Sequence, residues 1–395
     1  MLSLLRPVRA HLSQGSLQRL RTFTSNTFLA SDLTIEETKN PKEKLSPEKL
    51  VFGKNFTDHM LEVDWSEETG WGAPRIVPHH KLEIDPAAPC LHYAIECFEG
   101  MKAYLDKAGK LRLFRPDKNM ERLNNTANRL CLPTFDGHQL VECLKELLIL
   151  DKNFCPFKPG YSLYIRPTMI ATDCTLGVHA SASAKLFVIL SPCGPYYKTG
   201  FAPVKLFSSS QFVRAWPGGT GGSKAGCNYA PTIFPQKEAA HLGYQQVMWL
   251  FGDQHYLSEV GTMNVFVFFE HENGERELVT PPLDGTILPG VTRDSILQLC
   301  RDWNEFKVSE RMVPMAELVE AVEKGQVLEM FGAGTAAIVS PIKGIRYEDQ
   351  KKDLVIPLDR DNPDAMSGPL AARLARVLMD IQYGNVEHHW SVVVD

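Results

Sequence analysis

One lysine stands alone in a glycine-rich stretch, Pro217-Gly218-Gly219-Thr220-Gly221-Gly222-Ser223-Lys224-Ala225-Gly226-Cys227-Asn228-Tyr229. Glycine lets backbone approach a flat ligand closely and adopt positive φ at little steric cost. A lysine in such a setting is either a phosphate clamp or an amine ready for covalent chemistry with a carbonyl. A nucleotide P-loop needs glycine directly before the lysine and a hydroxyl directly after it to hold magnesium. Ser223 and Ala225 occupy those two positions, which removes that reading. A flexible surface loop carrying a solvated lysine is the plain alternative.

Three downstream segments weigh against the plain alternative. Leu257-Ser258-Glu259-Val260-Gly261-Thr262-Met263-Asn264 sets a carboxylate at a strand end beside a glycine and a hydroxyl. Leu288-Pro289-Gly290-Val291-Thr292-Arg293 opens a helix whose free N–H groups and positive dipole end suit a phosphate. Phe331-Gly332-Ala333-Gly334-Thr335-Ala336-Ala337 reads as a small-residue loop whose amides suit a carboxylate. Lysine, carboxylate, tyrosine and an anion-ready helix end are the parts that pyridoxal phosphate requires. Taken alone, Glu259 reads as a rim carboxylate and Arg122 as a solvated helix residue.

The elements able to hold these groups follow from periodicity. Asp117–Cys131 carries Met120, Leu123, Ala127 and Leu130 on one helical face, and His138–Leu150 carries Leu140, Leu144, Leu147 and Leu148. Tyr161–Ile170 and Lys185–Ser191 read as strands, and in the first Tyr164 and Arg166 share a face. The turn-rich run Pro192–Gly200 reads as an interdomain connection. Beyond it, strands are expected at Gln246–Phe251, Leu257–Val260, Thr262–Phe269 and Leu278–Thr280, with a hairpin turn at Asn273-Gly274. Amphipathic helices are expected at Val291–Trp303 and Pro369–Tyr383.

Bulk properties exclude several classes. A net charge of −5 gives no basic field for nucleic acid. No apolar run approaches the roughly 18 residues of a membrane span. Nine scattered cysteines form no C-x-x-C, and the His79-His80 and His388-His389 pairs are adjacent, so no metal site is expected. The first 31 residues differ from the rest: Arg6, Arg9, Arg19 and Arg21 occur with no acid, among serines, threonines and leucines. That composition is expected of a mitochondrial presequence, cut near Phe23–Thr27, and places the mature chain in the matrix.

The motifs in order resemble the branched-chain-amino-acid aminotransferases among the fold-type IV pyridoxal-phosphate enzymes, most closely the mitochondrial form in animals. Val51-Phe52-Gly53-Lys54, Leu91-His92-Tyr93, Phe98-Glu99-Gly100-Met101-Lys102-Ala103 and Leu113-Phe114-Arg115-Pro116 carry the likeness. Asn228-Tyr229, Glu259–Asn264 and Leu288–Val291 extend it, so it runs from about Val51 to the C-terminus. The resemblance implies an α+β fold with a small N-terminal α/β domain, a larger C-terminal mixed α/β pseudo-barrel domain and the active site between them. The expected boundaries are a presequence over 1–28, the small domain over 29–194, a linker over 195–206 and the large cofactor-binding domain over 207–395.

The same resemblance implies roles. Lys224 would form the imine with pyridoxal 5'-phosphate, Glu259 would partner the ring nitrogen and Tyr229 the ring oxygen. Arg122 and the amides of Val291 and Thr292 would hold the phosphate. Phe52, Tyr93, Phe98 and Tyr164 would form an aromatic wall around a branched side chain, near Thr262. Leu176 and Val178 would reach into a partner subunit's pocket, making a homodimer. Arg166 would meet the second carboxylate of glutamate or 2-oxoglutarate, and the Thr335 and Ala336 amides the α-carboxylate. The implied reaction is transamination of leucine, isoleucine and valine with 2-oxoglutarate. Another fold-type IV activity (D-amino-acid transamination or aminodeoxychorismate lysis) and a non-catalytic protein keeping the fold are the alternatives. Two features depart from the family. Ala337 and Ser340 replace a redox-active C-x-x-C of vertebrate mitochondrial members, which implies loss of that thiol–disulfide control, and Cys227 stands where glycine is usual.

Overall fold

The computed structural model describes residues 27–194 and 202–394; the expected presequence up to residue 26 and residues 195–201 of the expected linker lie outside the described residues. Two sheets dominate. The first has ten strands, built on the antiparallel trio His59–Ser66, Ser183–Cys193 and Ser162–Ala171. Met101–Leu105 and Leu111–Phe114 extend it on one side. Helices Pro116–Arg129 and Gly137–Leu150 cover one face, burying the apolar stripes that their spacing marks out. Asp136 starts the second helix by accepting the His138 N–H at 2.9 Å, the usual device for a free first-turn donor.

The second sheet has nine strands and closes on itself. Tyr256–Val260, Gln246–Phe251, Val204–Ser208, Ile338–Tyr347, Val327–Gly334 and Met263–Glu270 form a ring, shut by the Glu259↔Asn264 and Val260↔Met263 pairs. Period-two geometry then divides strand Met263–Glu270 between two cores. Val265, Val267 and Phe269 pack among the ring's aliphatic side chains. Phe266 and Phe268 face outward, where Phe266 stacks on Phe331 with centroids 5.2 Å apart. Helices Val291–Trp303 and Pro369–Gln382 cover that outer face.

This outer core also joins the two sheets. Tyr104, Phe114 and Trp390 from the first pack into one buried cluster with Phe266, Phe331 and Leu374 from the second. The pseudo-barrel and the mixed composition follow the expected fold class.

Some elements differ from the sequence expectation. Val204–Ser208 is a ring strand, paired in parallel to Gln246–Phe251 and to Ile338–Tyr347, although the expected linker takes in its first three residues. Phe331–Gly334 is strand, so only 335–337 of the small-residue segment form a turn. Its glycines read as loop, yet two antiparallel neighbours supply the hydrogen bonds that fix it. The last strand, Ser391–Val393, returns to the first sheet beside Arg112–Phe114 instead of joining the second. Apart from the Ile338–Pro341 neighbour of Phe331–Gly334, the partners lie far away in sequence, where local pattern carries no information.

Candidate active site

Lys224 sits where the two sheets meet. Its backbone N–H donates to Thr126 Oγ1 at 2.9 Å, and its carbonyl accepts the Phe98 N–H at 3.1 Å. Glycine and a 3₁₀ turn at Gly226–Asn228 let the segment press this close, since a Cβ at Gly226 would run into the Glu96 side chain. Asn228 secures the loop by donating to the Thr220 and Ser223 carbonyls. The Lys224 Nζ lies 3.1 Å from the Tyr229 hydroxyl and 4.7 Å from the centre of the Phe98 ring. Lys224 is half-buried: it lines the cleft, and protein crowds the rest of it. That burial, reinforced by the Arg122 charge, pulls its pKa down to about 8. Burial pushes Tyr229 up to about 12, so its hydroxyl stays protonated.

Two buried ion pairs flank the lysine. Glu259, 2 % exposed, accepts from Arg214 Nε at 2.8 Å and from the Leu288 N–H at 2.7 Å. Burial raises its pKa, and Arg214 only partly offsets that. Arg122 meets Glu99 through two hydrogen bonds, Nε at 2.7 Å and Nη2 at 2.8 Å, while Nη1 donates to the Pro289 carbonyl at 3.0 Å. Burial opposes ionisation of Glu99, but Arg122 outweighs it and holds the carboxyl below the usual range. The Pro289 contact sets the guanidinium at the start of helix Val291–Trp303. Gly290 caps that helix without a side chain, so the first-turn N–H groups of Val291 and Thr292 are left for a ligand. A Cβ on Gly290 would collide with Asn264 Oδ1 and so would have to displace that amide, which is held by the Leu288 carbonyl.

These groups open on a cleft of about 470 Å³. Phe52, Phe98, Arg122, Tyr164, Arg166, Lys224, Tyr229, Thr262, Val291, Thr292, Thr335 and Ala336 all line it; Glu259 does not, and is joined to the lining through its hydrogen bond to the Leu288 N–H. Phe52 meets Tyr164 edge-on at 4.9 Å. Arg166 donates to the Tyr164 hydroxyl at 2.9 Å and lies over the Phe98 ring. Tyr93, Leu176 and Val178 do not reach this cleft. The Tyr93 hydroxyl donates to the Leu176 carbonyl, and Leu176 and Val178 are 63 % and 77 % exposed on an outward loop. Tyr93 therefore does not complete the wall of its own chain's pocket. Cys227 lies beside the lysine loop, its Sγ 3.8 Å from Thr220 Oγ1. A larger, open groove of about 790 Å³ lies elsewhere, over Glu277, whose carboxylate already accepts from Ser309 and Arg311.

Sequence reasoning missed Arg214 and Glu99 as members of the site. Both stand in or beside segments that sequence reading singles out, Arg214 three residues before Pro217 and Glu99 within the Phe98–Ala103 motif. The only available signal was a charge set among apolar and glycine neighbours.

The model of the amino-transferase class IV family matches residues 96–345. A branched-chain-amino-acid aminotransferase of Dictyostelium discoideum is 55% identical, over 96% of this chain and 100% of that one. The chain belongs to the branched-chain-amino-acid aminotransferase family. Cytosolic members are similar to it, as in Ovis aries at 50% identity over 93% of this chain and 94% of that one. So are mitochondrial members, as in Rattus norvegicus at 49% over 94% and 93%. Among solved structures, the branched-chain aminotransferase of the thermophilic archaeon Thermoproteus uzoniensis with norvaline superposes with a TM-score of 0.66 at 25% identity, covering 84% of this chain and 99% of that one.

The Lys224 environment makes a pH prediction. Below about pH 8 the amine is charged in both the folded and unfolded chain, so its burial penalty is fully present. As pH rises from about 8 toward 10.5, the unfolded chain holds the extra proton and folding gains stability. In the cofactor-free protein, carbon NMR of methyl-labelled Lys224 should titrate near pH 8. Lys224→Met should abolish the part of the stability gain above that pH; a midpoint above 10 contradicts the burial described.

Proposed function

We propose that this protein transaminates leucine, isoleucine and valine with 2-oxoglutarate, using pyridoxal 5'-phosphate, and that Lys224 is its catalytic residue. The observation that carries the reading is the cleft itself. It holds one amine with a lowered pKa, set between a buried carboxylate and a bare helix end backed by an arginine.

The residues present fit the cofactor. Val291, Thr292 and Arg122 would hold its phosphate, Tyr229 its ring oxygen, and Glu259 its ring nitrogen. Arg214 keeps Glu259 oriented, and offsets part of the burial that opposes its ionisation, by binding one carboxylate oxygen. When bound, pyridoxal phosphate supplies a carbonyl for reversible linkage to amines and a ring that accepts the electron pair left at Cα. Lys224 does the proton work. With a pKa near 8 its amine is partly neutral near physiological pH, so it can take the Cα proton and return it as an acid. Tyr229, whose hydroxyl accepts a hydrogen bond from the Lys224 Nζ at 3.1 Å, stays protonated and does not compete for that proton.

Phe52, Phe98 and Tyr164 give the side-chain end of the cleft an apolar wall. Such a wall separates substrates differing by a methylene by only about 1–3 kcal/mol, so all three branched amino acids should serve. Arg166, held against two aromatic rings, would receive the second carboxylate of glutamate and 2-oxoglutarate. The Thr335 and Ala336 amides would receive the α-carboxylate.

An assay of the amino acids with 2-oxoglutarate should show the three branched substrates well ahead of the rest. Lys224→Ala should lower kcat/KM by more than about a thousandfold, as expected for loss of both nucleophile and base. Preferred turnover of D-amino acids, or Lys224→Ala activity near that of the parent, would contradict the reading.

The working form is a homodimer in which Leu176 and Val178 of one protomer approach the other's pocket. Their exposure beside Tyr93 supports this, since large apolar side chains rarely stand free in a group. Leu176→Asp should raise KM for leucine and shift the protein toward monomer in sedimentation. A dimer undisturbed in both respects would place the loop outside the interface. For location, the arginine-rich, acid-free first 31 residues support the mitochondrial matrix. A reporter carrying that segment that remained cytosolic would contradict it.

A further inference from the structure

Lys102 has no part in the reaction described above, yet it is among the most enclosed cations in the protein. It lies on strand Met101–Leu105 of the first sheet, 9 % exposed, and its ammonium donates to the Ala336 carbonyl at 2.9 Å. Ala336 belongs to the second sheet, in the 335–337 turn between Val327–Gly334 and Ile338–Tyr347. An ammonium carries three donors. Among the described residues no carboxylate pairs with this one. Enclosing a cation without a counter-charge costs several kcal/mol, and methionine would fill similar space without that cost. Burial accordingly draws the Lys102 pKa down.

A second observation concerns the same turn. Ile338, directly after it, has φ of 61°, a left-handed conformation that β-branched residues scarcely adopt. Strain of this kind persists only where surrounding contacts impose it. The Gly334↔Ile338 pairing is one such contact and the Lys102 hydrogen bond is another. Residues Thr335, Ala336 and Ala337 line the cleft, whereas Lys102 stands behind them.

We infer that Lys102 is a positioning residue for the substrate's α-carboxylate, acting across the junction of the two sheets. A trans peptide points its C=O and N–H in opposite directions. With the Ala336 carbonyl held back on Lys102, the N–H of the same peptide, on Ala337, turns toward the cleft. The turn's donors are thereby fixed before substrate arrives, and the ammonium adds attraction for an anion through a region of low dielectric. The inference rests on the proposed transamination only in naming the carboxylate's owner.

The test separates the two. Calorimetry on the holoenzyme compares isocaproate, which keeps the leucine side chain and a carboxylate, with isocaproamide, which lacks the charge. K102M should weaken isocaproate binding by about tenfold or more and leave isocaproamide within about twofold, the size of one charge-assisted contact. K102R should keep isocaproate binding near that of the parent, and K102M should melt no lower than the parent. In turnover, K102M should raise KM for leucine more than it lowers kcat. Equal losses for acid and amide, unchanged isocaproate binding, or a K102M chain that does not fold each overturn the inference. Absence of leucine turnover in the parent enzyme would instead refute the proposed function, leaving the binding comparison intact.

Discussion

The structure depends on keeping charge where water is scarce. Between the two sheets lie Glu99 with Arg122 and Arg214 with Glu259, four ionisable groups almost removed from solvent. Isolated, each would cost several kcal/mol to bury; paired at 2.7 to 2.8 Å, they can be held. The pairs then serve as fixed points. Arg122 is carried to the start of a helix through Pro289, and Glu259 is pinned from both oxygens by Arg214 and Leu288. Lys224, lying between them, is the group whose proton is loosely held. A lowered lysine pKa is what that setting produces.

The aromatic seam explains why the setting stays rigid. Tyr104, Phe114 and Trp390 from one sheet interlock with Phe266, Phe331 and the two covering helices of the other. Close-packed interiors deform little, so positions on opposite sides of the cleft keep their separation. Lys224 itself bridges the sides through Thr126 and Phe98. Groups from different sheets can in this way share one cleft to within ångströms.

Much of this was legible in the sequence, for local reasons. The glycines around Lys224, the Leu-Pro-Gly helix start and the helical stripes of 117–150 each state their geometry within a few residues. The resemblance to the aminotransferase family brings Phe52, Phe98, Tyr164 and Arg166 together, and all four line one cleft. What escaped was every relation that depends on distant pairing. Arg214 and Glu259 meet only because ring pairing sets the segment after Val204–Ser208 near strand Tyr256–Val260, and an arginine in isolation reads as a solvated one. Val204–Ser208 looks like linker because its neighbours in the ring lie some forty and well over a hundred residues onward. Tyr93 shares its ring type with the cleft aromatics, yet the short helix Pro89–Tyr93 ends with its tyrosine facing the outward loop.

The return of Ser391–Val393 to the first sheet has a temporal consequence. During synthesis the N-terminal half emerges and begins to fold long before those residues leave the ribosome. Until they arrive, the rim formed by Leu111–Phe114 lacks its last partner, and Trp390 is absent from the seam. Closure of the seam between the sheets thus waits for the segment Trp390–Val393: a polypeptide halted before it contains Lys224 but lacks the last side chains that join the two sheets.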